Sequence, residues 1–259
     1  MKFSKLIAAV LALSVICGGA APFATEIPEF SLTADAADAV FEKLRYIIED
    51  DHVVITGHTK DLPAELVIPA EIDGKTVTSI GDFAFDGCSE MTSITIPEGV
   101  TSIGNNAFYE CTGLTSITIP EGVTSIGARA FDGTPWLEAK QKENPLVIIN
   151  SILIDGSTST GDVEIPEGVT SIGNYAFYNC SELTSITIPE SVTSIGDFAF
   201  DGCSEMTSIT IPESVTSIGD CAFMDCSELT SITIPESVTS IGNYAFYGCT
   251  GLTSITIPE

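Results

Sequence analysis

Basic residues are scarce in this chain: 9 Lys and Arg stand against 36 Asp and Glu in 259 residues, for a formal charge of −27. Such a charge repels phosphate polymers and anionic bilayers, which excludes nucleic acid and membrane surfaces as partners. A basic protein, a divalent cation or a neutral glycan is compatible with it, and solvated acids keeping an exported chain soluble are the plainer account. Histidine is nearly absent, with only His52 and His58, and their spacing of six is not the i, i+4 helical metal pair. A Cys88 or serine nucleophile would need one of them close by, held by an orienting acid. The sequence assembles no such set, so the expectation is a non-catalytic protein without cofactor or metal. Phosphate-cradling loops are missing too, because the glycines fall on repeated turns. Beyond the first residues no apolar run nears the ~18 residues of a spanning helix, so the mature chain should not insert in a membrane.

The leader is the exception. Met1-Lys-Phe-Ser-Lys5 carries two positive charges and runs into an apolar stretch from Leu6 to Cys17, then small residues to Ala21. That order reads as a secretory signal peptide over 1–21, with Ala34-Asp-Ala36 as a later cleavage site. The expected location is therefore secreted or at the cell surface. Removal of 1–21 leaves 7 basic residues against 36 acidic ones.

The rest of the chain repeats one phrase of 23 residues, plainest in Leu114-Thr-Ser-Ile-Thr-Ile-Pro-Glu-Gly-Val-Thr-Ser-Ile-Gly127 with Ala130-Phe131 after it. Ile80, Ile103, Ile126, Ile172, Ile195, Ile218 and Ile241 lie 23 or twice 23 apart. A fixed period of this length marks a solenoid, in which each unit supplies a wall for its neighbours. Ile117 and Ile119 follow the period of a half-buried strand, Pro120 ends it, and Val123 with Ile126 forms a second inward pair. Gly127 reads as the residue that permits a turn. Seven Ala-Phe pairs, from Ala84-Phe85 to Ala245-Phe246, predict a column of rings inside. Cys88, Cys111, Cys180, Cys203, Cys226 and Cys249 share one position, with Thr134 in their place once. Equivalent positions point the same way, so a buried column of free thiols is expected rather than disulfides.

The pattern L-x-x-I-x-I-P-x-x-V-x-x-I-G-x-x-A-F-x-x-C over about Val77 to Glu259 resembles the 23-residue bacterial leucine-rich repeat of the BspA-like surface proteins. The resemblance implies a curved solenoid, β-rich with parallel sheets, and an extracellular adhesive or scaffolding role with no catalytic motif to transfer.

Departures from the phrase divide the chain. Residues 38–76 read as an N-terminal β cap and first coil, with strands at Arg45–Glu49, Val53–Thr56 and Glu65–Ile68 and a small loop at Ile72–Thr76. Regular coils follow over 77–133 and 162–259. Between them, 134–161 reads as an irregular coil: Thr134-Pro135 opens a helix, Asn144-Pro145 stops it, and Leu146–Ile149 with Ile152–Ile154 forms a hairpin around Asn150-Ser151. The phrase stops mid-unit at Glu259, which reads as a truncation before a further module.

Repetition turns residues into rows. The Asp82, Asn105, Asn174, Asp197, Asp220 and Asn243 series reads as local turn chemistry. Threonines on the outer face of the principal strands, Thr118, Thr187, Thr210 and Thr233 among them, form a hydroxyl row suited to an extended glycan. The aromatics after Ile-Gly and beyond differ from coil to coil. Tyr109, Tyr175, Tyr178, Tyr244 and Tyr247, together with the hydroxyl rows, are the expected interaction face. Trp136 joins them as a candidate recognition residue of the irregular coil, its alternative being a place in the core. The function expected is noncatalytic binding of a macromolecule, a protein first. The alternative is a structural spacer or glycan-binding arm of a larger cell-surface or polysaccharide-degrading assembly.

Overall fold

A computed structural model describes residues 39–257; the leader read as a signal peptide lies outside them. The repeat folds into a β-solenoid of about nine turns. Each regular turn has three sides. The first is the Ser-Ile-Thr strand, paired in parallel and in register with the same strand 23 residues on, as Ile94 with Ile117 and Ile186 with Ile209, except that Ser208–Thr210 and Ser231–Thr233 fall in separate sheets. The second is a two-residue Ser-Ile strand, laddered through Ile80, Ile103 and Ile126 and again through Ile172, Ile195, Ile218 and Ile241. The third is a run of turns after Ile-Gly that also bonds between coils, with the Phe85 and Phe108 amides donating to the Ala107 and Ala130 carbonyls at 2.8 Å. Short parallel strands are weak alone; three ladders per turn leave few backbone groups unpaired.

The centre is packed as the phrase dictates. Phe85, Phe108 and Phe131 stack face to face at 5.4 and 5.5 Å, and Phe177, Phe200, Phe223 and Phe246 at 5.2–5.5 Å. Burying each ring stabilises by about 2–3 kcal/mol. All seven cysteines among the described residues are free, and the column position is buried except for the half-buried Cys249.

Two turn expectations are corrected. The Asp/Asn row does not merely close its own turn: the Asp82, Asn105, Asn174, Asp197 and Asp220 side chains accept the backbone N–H 23 residues further on, at 2.5–2.8 Å. Gly127, expected to supply conformational freedom, is needed for closeness instead. A Cβ on it would lie 2.5 Å from the Asn105 amide nitrogen of the preceding coil. The residue that takes the left-handed backbone stands two positions later. Phe83, Asn106, Arg129, Tyr175, Phe198, Cys221 and Tyr244 all have φ between 52° and 62°.

Before the first regular coil, strands Ala39–Phe41, Leu44–Glu49 and His52–His58 pair antiparallel in sequence, and the last joins Lys75–Ile80 in parallel. The loop expected at Ile72–Thr76 is a tight hairpin, Glu71–Ile72 against Lys75–Thr76, turning on Asp73 and Gly74 with positive φ.

The helix runs Pro135–Glu143, with Thr134 as its N-cap. Val147–Ile149 and Ile152–Asp155 then form an antiparallel hairpin, with Asn150 and Ser151 both left-handed at the turn. Leu153 pairs with Ile172, only 19 residues on, so the helix lengthens one turn and the next is shortened to restore phase. The core divides at the same place: one cluster runs from Leu44 to Val147 and a second begins at Leu153. Gly156 belongs to this junction, since a methyl there would overlap the Phe177 ring.

Candidate functional site

At most turns the left-handed position carries a large side chain, Asn106 and the buried Cys221 being the exceptions, and the residue directly after Ala-Phe provides a second row. At the irregular coil these rows converge. Tyr109, Arg129, Asp132, Tyr175 and Tyr178 line a pocket of about 350 Å³, closed by Leu137, Glu138 and Gln141 of the helix and Asp155 of the hairpin. The Arg129 guanidinium carbon lies 4.6 Å from the Tyr175 ring centre and 5.2 Å from that of Tyr178. A cation over two rings gains about 0.5–2 kcal/mol. Tyr175 meets Tyr178 edge-on at 5.3 Å and stacks on Phe198 at 4.8 Å, so the aromatic wall spans two coils.

Carboxylates face this cation. Asp132 lies 4.0 Å from the Arg129 Nε. Burial pushes its carboxyl above the usual range, as do the charges of Asp155 and Glu110, while Arg129 pulls it back. Asp155 is 8% exposed and accepts from Gln141 Nε2 at 3.0 Å and from Ser157. Its carboxyl too is pushed up by burial, against the pull of those hydrogen bonds. Four acids, Glu110, Asp132, Glu138 and Asp155, thus line the pocket against one Arg. Ringed walls, a fixed cation and surplus negative charge suit recognition of a positively charged or polar group.

The structure gathers some expected residues and separates others. Tyr109, Tyr175 and Tyr178 meet in the pocket. Tyr244 and Tyr247 form their own edge-on pair at 6.1 Å, 71% and 63% exposed, further along the same side of the repeat. Thr118, Thr187, Thr210 and Thr233 are exposed, but on the Ser-Ile-Thr strands, and line no part of the pocket. Aromatics and hydroxyl rows are therefore not one face. Trp136 is corrected as a recognition residue: it is 7% exposed and tilted against Phe131 at 4.9 Å, ending the first ring column. The Ser-Ile strands line a separate shallow groove of about 890 Å³ from Ser79 to Ile241.

Arg129, Asp132 and Asp155 were not among the expected site residues. Arg129 had a signal, being the one basic residue at the variable position, and Asp132 shares the register of Tyr109 and Tyr178. Asp155 had none, because the hairpin carries it out of phase. Among the described residues no group of three His, Cys, Asp or Glu could hold a metal, and no helix is long and apolar enough to cross a membrane.

A stack of 23-residue turns with parallel ladders and a variable outer row defines a leucine-rich repeat solenoid. The BspA type leucine rich repeat region matches residues 71–155 and 147–259, in six copies, and the chain belongs to that family. Among solved structures it is similar to a leucine rich repeat protein of T. pallidum, at 28% identity over 84% of this chain and 92% of that one, with a TM-score of 0.42. A leucine rich cell surface protein of Faecalibacterium prausnitzii A2-165 is 32% identical over 86% of this chain, TM-score 0.45. The match spans 55% of that protein's length. A leucine-rich repeat protein of Bacteroides ovatus is 28% identical over 86% of this chain and 66% of its own, TM-score 0.41. No curated protein matches the chain.

Proposed function

We propose that the chain is a noncatalytic module, displayed outside the cell, that binds a protein through the variable aromatic row with the Arg129 pocket as its anchor. The observation that carries this reading is the left-handed backbone at the variable position. A Cβ there costs about 1–2 kcal/mol, and only glycine or asparagine takes it readily. A solenoid built for stability alone would place Gly or Asn at all seven positions, yet only Asn106 is of that kind. Bulky residues in such strained places argue for a task beyond folding. The four acids around Arg129 favour a partner segment that is basic. The leader sequence, and the surface location stated for the Faecalibacterium relative, support exposure outside the cell.

The test is retention of surface proteins by the immobilised chain, compared with a Tyr175→Ala/Tyr178→Ala variant. The reading requires at least one protein held by the wild type and released by the variant, with release also by about 0.5 M salt. No retention, or identical retention by both, removes it. The exposed threonine row favours one second reading, a glycan-binding or spacing arm. It predicts binding to neutral polysaccharide that survives the tyrosine substitutions.

A further inference from the structure

Five of the six column cysteines donate their S–H to a carbonyl of the coil before: Cys111 to Phe85 at 3.0 Å, Cys203 to Phe177 and Cys226 to Phe200 at 3.2 Å, Cys249 to Phe223 at 3.0 Å, and Cys180 to Gly156 at 3.5 Å. Cys88 opens the column, and no earlier Ala-Phe turn offers it a carbonyl. Its Sγ lies instead 3.0 Å from His58 Nε2. On the far side of the ring, His58 Nδ1 lies 2.8 Å from the Thr59 carbonyl oxygen. A carbonyl only accepts, so Nδ1 carries the proton and Nε2 presents its lone pair to the thiol. The imidazole is also clamped, stacked on Phe85 at 6.1 Å and 6° as the first ring of the column. The orienting acid that the sequence lacked is replaced by a backbone carbonyl.

We propose that Cys88 and His58 form a reactive thiol site that takes small disulfides as its substrate class and becomes S-thiolated. His58 Nε2 accepts the Cys88 proton, and Sγ attacks one sulfur of the disulfide. The new S–S bond forms as the old one breaks, and the departing thiolate recovers the proton from His58. Cys88 is oxidised to a mixed disulfide while the reagent is reduced to one thiol, so no further oxidant is required. Access limits the substrate to small molecules: Cys88 is 9% exposed, whereas Cys203 and Cys226 are at 0%. A thiol paired with a fixed base is the arrangement that raises thiolate reactivity.

Cys249, at the opposite end of the column, separates exposure from activation. It is more open than Cys88, but it donates to a carbonyl and has no histidine. The reduced chain, with Cys17→Ser to remove the leader thiol, is treated with bis(2-hydroxyethyl) disulfide, and the modified peptides are followed by mass. Cys88 should react first, ~10-fold or more ahead of Cys249. His58→Phe keeps a ring on Phe85 and should slow Cys88 by ~10-fold or more, while Cys249 keeps its rate. Cys249 leading in the wild type overturns the proposal without any change at His58. So does an unchanged Cys88 rate in a folded His58→Phe chain.

Discussion

Tyr244 holds a left-handed backbone, with φ 57°, and a side chain 71% exposed, so its ring returns little burial for the strain it imposes. Tyr244→Gly should therefore raise stability by about 1 kcal/mol, read as a shift of the urea midpoint at unchanged slope. A loss of stability would mean that the ring packs on something essential and would remove strain as an argument for function. Asp201 tests burial of charge. It is 6% exposed, and burial first, then the charge of Asp225, pushes its carboxyl from an ordinary 3.8 up to about 6. The folded state then binds this proton more tightly than the unfolded chain. The stabilisation is fully present below about pH 4 and is lost as pH rises through 6. Wild type should lose more stability between pH 4 and 7 than Asp201→Asn, which removes the titration. Parallel stability curves for the two would show that Asp201 is solvated after all.

Thr134 shows what one substitution in the repeat does to an element. The column cysteine at this position would lend its S–H to the preceding coil. Thr134 instead donates to the Phe131 carbonyl at 2.7 Å and accepts from the Leu137 N–H at 3.1 Å, which starts the helix. Thr134→Ala leaves both backbone groups without that partner in a fully buried place and should cost about 2 kcal/mol. Thr134→Ser keeps the hydroxyl and should cost under half as much; equal losses would assign the effect to the methyl group rather than the cap. This element is legible in the sequence, because Thr-Pro, Asn-Pro and Asn-Ser are local signals that need no knowledge of neighbours. The strand pairs and the ring column were legible for a different reason: a repeat tells each residue that its neighbour is its own copy. What could not be read was side-chain and close-packing chemistry between one coil and the next. Gly127 and the Asp/Asn row act on the adjacent coil, and Asp155 reaches the pocket through a hairpin that breaks phase. His58 meets Cys88 because a cap strand takes the place of a missing coil, for which the repeat offers no template.

The irregular coil divides the molecule as well as decorating it. The Ser-Ile ladder stops at Ser125–Ile126 and resumes at Ile152–Asp155, the Ser-Ile-Thr ladder stops at Ser116–Thr118 and resumes at Gly161–Glu164, and the ring columns and core clusters break there too. In a solenoid, stability is the sum of coil terms and the interfaces between neighbours, so a weakened interface is where cooperativity fails. Few bonds bridge this one: the Asn150 side-chain amide donates to the Pro120 and Val123 carbonyls at 2.7 and 3.1 Å, and Arg129 lies over Tyr175 and Tyr178. Native-state hydrogen exchange should accordingly resolve two groups of amides, one over Ile80–Ile126 and one over Ile172–Ile218, each opening as a unit. Asn150→Ala should cost about 2 kcal/mol at the interface and widen the gap between the two groups, turning one denaturation transition into two. A single opening energy shared by both groups, unchanged by Asn150→Ala, would mean that the helix and hairpin transmit packing as well as a regular coil does. The Arg129 pocket would then be a surface feature of a continuous rod rather than the seam between two stacks.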